Sequence, residues 1–232
     1  MISGVRDPIE TWLAIAMFMT VFGGLIGMLM LYAAARRPHP ELLRKLLHAG
    51  SGLATLPFPI VFADVWPTVV LTGFAATVLA SAKLLPPVRH RLGSVLDGTG
   101  RSTCGELYFP IAVAAVFWIT QARGEPPLLF VIPILVLSIA DAVGGLVGLR
   151  YGRTLWMKDR KSVEGSAAFL VTAILCIYAP LLASGRGGAC EALVTSVGVG
   201  VIAMLLEAGA TGGLDNLSVP IGTYLGLRLV IT

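Results

Sequence analysis

Residues 138–166, SIADAVGGLVGLRYGRTLWMKDRKSVEGS, decide how this chain is organised. An apolar run, LLFVIPILVLSIA, leads directly into Asp141. A carboxylate inside a hydrophobic segment is costly to bury, so it is a functional candidate by default. After a basic loop, the stretch closes on a polar motif made of Lys161, Ser162, Glu164, Gly165 and Ser166.

A ladder of glycines follows the carboxylate at spacings of 3, 4, 7 and 11 residues: Gly144, Gly145, Gly148 and Gly152. These spacings place the glycines on about the same helical face as Asp141, which leaves a strip that a ligand or another backbone can approach closely. Small residues four apart are also common where membrane helices pack, and alone the glycines favour packing. With Asp141 and the Lys161 motif they favour a polyphosphate and metal site, because hard cations need carboxylate oxygens and phosphates need lysines and backbone amides.

Composition indicates a membrane protein. The 232 residues are 56% hydrophobic and 13% charged, with a mean hydropathy of +0.86. A soluble domain usually carries about twice that charge. We therefore expect an all-α fold, a polytopic helical bundle with about 7–8 transmembrane helices, in which residues 1–232 form a single membrane domain. The three cysteines form no CxxC motif, which argues against disulfides and a zinc cluster. The sequence has no basic patch interleaved with aromatic residues, which argues against nucleic acid as a partner.

Hydropathy divides the chain into eight apolar segments: 9–35, 42–62, 66–85, 107–120, 127–149, 163–182, 190–207 and 217–232. A helix needs about 20 residues to cross the hydrocarbon core. Segments 107–120 and 217–232 are shorter than that, which leaves a tilted or re-entrant element open at both places.

The basic residues are distributed unevenly over the predicted loops. With eight spans, one side holds 13 of the 17 Lys and Arg residues: Arg36, Arg37, Arg44, Lys45, Lys83, Arg89, Arg91, Arg101, Arg150, Arg153, Lys158, Arg160 and Lys161. The other side holds Arg6, Arg123, Arg186 and Arg228. The positive-inside rule places the first side in the cytoplasm and both termini outside.

Polar motifs gather at the predicted cytoplasmic boundary, as a single site facing the cytosol would require. The nucleotide-binding region is expected at 138–166, with contributions from 42–50, 105–110 and 207–220. The candidate residues there, besides those quoted above, are Arg44, Lys45, His48, Glu106, Glu207, Asp215 and Asn216. Each has a plainer interpretation: membrane anchors for the two cations, a core hydrogen bond for the histidine, a helix-dipole charge for Glu106, a solvated carboxylate for Glu207 and a turn for the Asp-Asn pair.

Together these motifs resemble the phytol, dolichol and CTP-dependent diacylglycerol kinases. The pattern of Asp141 and its glycines followed by the Lys161 motif looks like the family's nucleotide-binding block. Arg44-Lys45-x-x-His48, Gly105-Glu106-Leu107-Tyr108-Phe109-Pro110, and Glu207 with Asp215-Asn216 resemble its other blocks, in the expected order. The resemblance covers about residues 42–225. Phosphatidate cytidylyltransferases have a similar nucleotide block, but their long C-terminal signature is absent from residues 203–232.

The resemblance implies transfer of a phosphoryl group from a nucleoside triphosphate, often CTP, to a lipid alcohol. We expect Mg²⁺ to be held by Asp141, Glu207 and Asp215, and phosphates to be neutralised by Lys161, Arg44 and Lys45. Catalytic roles are expected for Asp141, Lys161 and Asp215. The further nucleotide- and phosphate-binding candidates are His48, Gly144, Gly145, Gly148, Gly152, Ser162, Glu164 and Gly165.

Two other functions remain open at this point. A cytidylyltransferase would use the same donor site with an acidic lipid and would release pyrophosphate. A small transporter would use Asp141 as a proton or cation relay. The expected partners of a kinase are a lipid alcohol, membrane lipids and, in a homo-oligomer, further copies of the chain.

The basic asymmetry predicts the orientation of the protein. A cysteine introduced in loop 150–162 should react with a membrane-impermeant reagent only from the cytoplasmic face, because that loop belongs to the basic side. Labelling from outside in intact cells would refute both the orientation and a cytosol-facing site.

Overall fold

A computed structural model of the protein describes residues 7–84, 105–157 and 161–231. In these ranges the chain is helical and has no β-strand, apart from an isolated antiparallel bridge between Leu155 and Ser162. The all-α fold class is confirmed. Several predicted cytoplasmic basic residues lie outside the described ranges: Arg89, Arg91, Arg101, Lys158 and Arg160.

The described helices are numbered in chain order. They are α1 (Pro8–Arg36), α2 (Pro40–Thr55), α3 (Phe58–Val61), α4 (Trp66–Leu84), α5 (Gly105–Ala122), α6 (Leu128–Tyr151), α7 (Val163–Ala183), α8 (Ala189–Gly209) and α9 (Asp215–Ile231). Within α6, a π-helical turn from Val136 to Ala140 joins two α-helical parts.

Five of the described helices are long and apolar enough to cross a membrane: α1, α5, α6, α7 and α8. They indicate an integral membrane protein. The predicted number of seven or eight spans is not confirmed. Segment 42–62 is divided into α2 and the one-turn α3, since Pro57 has no amide hydrogen to continue the helical ladder. The last segment is a helix of 17 residues, and α4 contains a shorter apolar stretch, Trp66–Ser81.

Helix α6 lies between two hydrophobic cores. Leu129, Ile132 and Val136 pack in a core shared with α7, α8 and α9. Phe130 and Ile134 pack in a second core, shared with α1, α3, α4 and α5. A helix that is apolar on all sides is one that is buried on all sides. The uninterrupted apolar run before Asp141 is therefore explained by contact on opposite faces.

The π-helical turn brings α2 against α6 just before Asp141. Gly52 of α2 lies so near Ser138 that a Cβ atom on the glycine would be 1.6 Å from the serine Oγ. A side chain at position 52 is therefore incompatible with this approach. Short π-helical turns inside α-helices are rare and are frequently found at functional sites, and this one ends at the residue before the buried carboxylate.

The glycine ladder forms the contact between α6 and α7. A Cβ atom on Gly144 would lie 2.9 Å from the Cβ of Phe169 and 3.1 Å from the carbonyl oxygen of Gly165. A Cβ atom on Gly165 would in turn lie 3.1 Å from the Cα of Gly148. Small residues thus let two apolar helices approach closely, as is common in membrane proteins.

Gly144→Ala tests this contact. We expect it to lower the stability of the detergent-solubilised protein by about 1–3 kcal/mol, because the added methyl group forces α6 and α7 apart. The matched control is Gly198→Ala in α8, where an added Cβ meets nothing within 4 Å. Thermal unfolding of both variants measures the difference, and equal stability of the two would show that Gly144 is not at a tight contact.

Candidate active site

Asp141 is neutralised by a lysine from α2. The Asp141 Oδ2 lies 2.6 Å from the Nζ of Lys45, and the two side chains are only 7% and 6% exposed. His48, one turn further along α2, places its Nε2 3.5 Å from the same oxygen and 3.0 Å from the carbonyl oxygen of Leu137. The Arg-Lys-x-x-His motif therefore faces α6, because positions three and four apart share a helical face.

Gly145 leaves room for the Lys45 side chain. A Cβ atom at position 145 would lie 2.5 Å from the Cε and 3.0 Å from the Nζ of this lysine. The lysine stem therefore crosses α6 where the helix has no side chain. Gly145 therefore packs against a residue of the charged cluster, whereas Gly144 and Gly148 pack against α7.

A second lysine joins the end of α8 to the start of α9. Lys161, which directly precedes the cap of α7, donates hydrogen bonds to the Oε1 of Glu207 and to the Oδ2 of Asp215, the latter at 3.0 Å. Burial acts to lower the pKa of Lys161, but the carboxylates of Asp215, Glu207 and Asp141 outweigh burial and raise its pKa above the ordinary value. The lysine is therefore held in its charged form.

The three carboxylates form one acidic centre. Asp141, Glu207 and Asp215 each offer an oxygen, and these oxygens lie within 4.8 Å of one another. Three carboxylates against Lys45 and Lys161 leave a formal excess of about one negative charge when the acids are ionised. Hard divalent cations prefer such oxygen donors, so the donor set fits Mg²⁺.

The loop before α7 is fixed by its own polar residues. Ser162 caps α7 by accepting a hydrogen bond from the amide of Gly165 at 3.1 Å. The exposed Glu164 carboxylate accepts hydrogen bonds from the amides of Arg153 at 3.1 Å and Thr154 at 3.3 Å. A Cβ atom on Gly152 would lie 2.7 Å from the serine Oγ. In this arrangement these residues shape the loop that presents Lys161.

The structure brings the charged residues of the predicted site into one cluster and places the predicted glycines, Ser162 and Glu164 beside it. The charged cluster consists of Lys45, His48, Asp141, Lys161, Glu207 and Asp215. The adjoining packing surface and loop hold Gly144, Gly148, Gly152, Ser162, Glu164 and Gly165. Arg44 pairs with Glu41 of its own helix at 2.5 Å. The assigned phosphate-binding and catalytic roles stay predictions.

Two contacts of the site were missed in the sequence. The Asn216 side chain donates a hydrogen bond to the carbonyl oxygen of Gly105 at 2.9 Å, which ties the start of α9 to the start of α5. The ring of Phe109 lies 4.3 Å from the ring of His48, centroid to centroid. The Gly-Glu-Leu-Tyr-Phe-Pro block was recognised as a motif, but its sequence does not indicate that Gly105 and Phe109 contact Asn216 and His48.

Comparison with known proteins agrees with the resemblance that the motifs indicate. No family model matches the chain, and no solved structure matches it. The chain is 28% identical over 221 residues to a protein named phytol kinase from Synechocystis sp., and the alignment covers 92% of this chain and 90% of that protein. This similarity supports assignment to the phytol and polyprenol kinase family. The resemblance that the motifs predicted therefore extends over nearly the whole chain.

The interaction between Lys45 and Asp141 can be tested by mutation. We expect Asp141→Asn to destabilise the solubilised protein by about 3–5 kcal/mol, because Lys45 would stay buried without a counter-charge. Lys45→Met should destabilise it for the converse reason. In the double variant the two losses should not add, with a coupling of about 1–3 kcal/mol measured by thermal unfolding.

The control for this cycle is Glu41→Gln, which removes a partner from the partly exposed Arg44 pair. Its effect should stay within about 1 kcal/mol. Additive losses in the Lys45 and Asp141 variants would contradict a direct interaction between the two charges.

Proposed function

We propose that the protein is a membrane-embedded lipid-alcohol kinase. It transfers a phosphoryl group from a nucleoside triphosphate, with CTP as the expected donor, to the hydroxyl of an isoprenoid alcohol such as phytol, geranylgeraniol, polyprenol or dolichol, or to diacylglycerol. The observation that carries the proposal is the cluster of three carboxylates and two lysines. The similarity to the phytol kinase of Synechocystis sp. supports the same reaction.

The cluster suits phosphoryl transfer because this reaction depends on positioning and charge neutralisation more than on covalent chemistry by the protein. Asp141, Glu207 and Asp215 would hold Mg²⁺. A bound Mg²⁺ supplies charge neutralisation on the donor phosphates. With these carboxylates engaged by a cation, Lys45 and Lys161 would be held less strongly by them and could bind phosphate oxygens.

Each remaining residue has a proposed task. Lys161 and Lys45 bind donor phosphates as point charges, and Arg44 adds a planar donor at the edge of the cluster. Asp215 accepts the proton of the attacking alcohol. His48 fixes the middle of α2 against α6 through its contact with the Leu137 carbonyl, and so keeps Lys45 in register with Gly145.

A cytidylyltransferase is the nearest alternative, because it uses a similar donor site. Its acceptor is a lipid phosphate and its second product is pyrophosphate, whereas the kinase yields a nucleoside diphosphate and a lipid monophosphate. A transporter with Asp141 as a relay yields no nucleotide-dependent product. The name of the similar protein favours the kinase.

We also propose that the site faces the cytoplasm, where nucleotides are available. The predicted basic asymmetry of the loops supports this orientation. Membrane lipids surround the apolar helices, and a homo-oligomer is compatible with the proposal.

The decisive experiment assays purified protein with CTP, ATP, UTP and GTP against a panel of lipid alcohols, with Mg²⁺ varied. We expect a nucleotide- and Mg²⁺-dependent lipid monophosphate and a nucleoside diphosphate. Asp141→Asn, assayed in parallel after its folding has been verified, should lose the activity. Pyrophosphate as the product would identify a cytidylyltransferase, and no lipid product with any donor would overturn the proposal.

Lys161→Ala tests the phosphate contact. We expect a higher KM for the nucleotide and a fall in kcat of about 10²–10³, since a charge aimed at the transferring group is lost. The matched control is Arg150→Ala, which removes an exposed cation from the end of α6. A Lys161→Ala protein with wild-type turnover at limiting nucleotide would contradict the assigned role, whereas equal losses in both variants would indicate a general charge effect.

A further inference from the structure

A cavity with mostly apolar walls lies beside the charged cluster, between α1, α2, α4 and α5. Its walls come from stripes of residues along these helices. The stripe of α2 is Arg44, Leu47, His48, Ser51 and Thr55; that of α4 is Thr68, Leu71, Thr72, Ala75, Val78 and Leu79; and that of α5 is Glu106, Phe109, Pro110 and Val113.

These stripes give the cavity a direction. Spacings of three and four residues keep each stripe on one helical face, so the cavity runs lengthwise between the helices. From Arg44 to Thr55 the α2 wall extends over eleven residues, which is about 16 Å at 1.5 Å per residue. A space of this form accepts an extended hydrocarbon chain along its axis.

The two ends of the cavity differ in polarity. Arg44, His48, Glu106 and Asn216 line one end. At the other end, the lining side chains are apolar, as in Phe58, or carry a hydroxyl group that already donates a local hydrogen bond. Thr55 donates to the carbonyl of Gly52, and Thr68 donates to that of Val65. The cavity thus matches a molecule with one polar head and one apolar tail.

The polar end touches the charged cluster. His48 lines the cavity and also lies 3.5 Å from the Asp141 carboxylate. Asn216 lines the cavity and directly follows Asp215, whose carboxylate binds Lys161. A head group at this end is therefore next to the proposed phosphate and metal residues.

We infer that this cavity binds the hydrocarbon chain of a single-chain isoprenoid alcohol, with its hydroxyl at the Glu106–Asn216 end, and that the α4 wall at Ala75 selects the chain. This inference rests on the proposed kinase function and adds the location of the acceptor. One lengthwise channel with one polar end fits one chain, whereas diacylglycerol has two.

The transfer step balances with the alcohol in this position. The alcohol oxygen forms a bond to the γ-phosphorus while the bond from that phosphorus to the bridging oxygen breaks. The electron pair of the broken bond leaves with the nucleoside diphosphate. The alcohol proton passes to the carboxylate of Asp215, the residue that directly precedes Asn216 in the cavity wall.

Ala75→Phe tests the chain site, because it fills the channel midway along α4 and leaves the charged cluster unchanged. We expect the KM for geranylgeraniol to rise about tenfold or more, with a smaller effect on geraniol, whose short chain ends nearer the polar end. The KM for the nucleotide should stay at its wild-type value. The matched control is Ala80→Phe, at an exposed position of the same helix that does not line the cavity.

A binding measurement on the wild-type protein separates this inference from the kinase proposal. Geranylgeraniol carrying a diazirine at its terminal isoprene unit is photolysed with the solubilised protein in the absence of nucleotide, and the labelled peptides are mapped. Labelling of α3 and the start of α4, competed by unmodified geranylgeraniol, supports the site even if no kinase activity is found. Labelling elsewhere, unchanged kinetics in Ala75→Phe, or preferential use and competition by diacylglycerol would overturn it while leaving a kinase intact.

Discussion

The buried ion pair between Asp141 and Lys45 is the interaction on which the arrangement of the site depends. A carboxylate in an apolar helix is strongly unfavourable unless an opposite charge accompanies it. Lys45 supplies that charge only because α2 lies directly against α6, and α2 lies there because neither Gly52 nor Gly145 has a side chain in the way. The compensation of the Asp141 charge therefore depends on the close packing of α2 against α6.

The same constraint explains why α6 is the central helix. Its apolar part is held between two cores, so the position and rotation of the helix are set before Asp141 is reached. The π-helical turn then adjusts the last turn before the carboxylate. Around this fixed helix, the first half of α2, the end of α8 and the start of α9 lie near Asp141 and bring Lys45, Glu207 and Asp215 to one centre.

Much of the site was accessible from the sequence for a simple physical reason. Polar residues are rare in this chain, so polar residues at the ends of apolar segments are easy to recognise in the sequence. The charged members of the cluster were all predicted candidates, including Glu207 and Asp215, which lie far from Asp141 in the chain. The pairing of Lys45 with Asp141 was not predicted, since Arg44 and Lys45 have equal claims until the rotation of α2 is known. In the structure Arg44 turns to Glu41 instead.

The number of spans was harder to predict, because hydropathy measures composition and not continuity. Segment 42–62 was read as one apolar segment, yet Pro57 separates α2 from α3, and α2 carries the polar face that meets the cluster. The glycine ladder shows a similar limit. Its spacing suits both a phosphate site and helix packing, and the structure shows Gly144 and Gly148 at the α6–α7 contact while Gly145 faces Lys45.

The sequence by itself determined the all-helical membrane class and the set of charged residues that form the candidate site, because hydropathy and the cost of burying charge act residue by residue. Only the tertiary structure decided which of these residues pair and which glycine serves which neighbour. It also showed that an apolar channel runs from the cluster between α1, α2, α4 and α5. Those properties depend on the relative rotation and separation of helices that are distant in the chain, and local patterns do not fix either quantity.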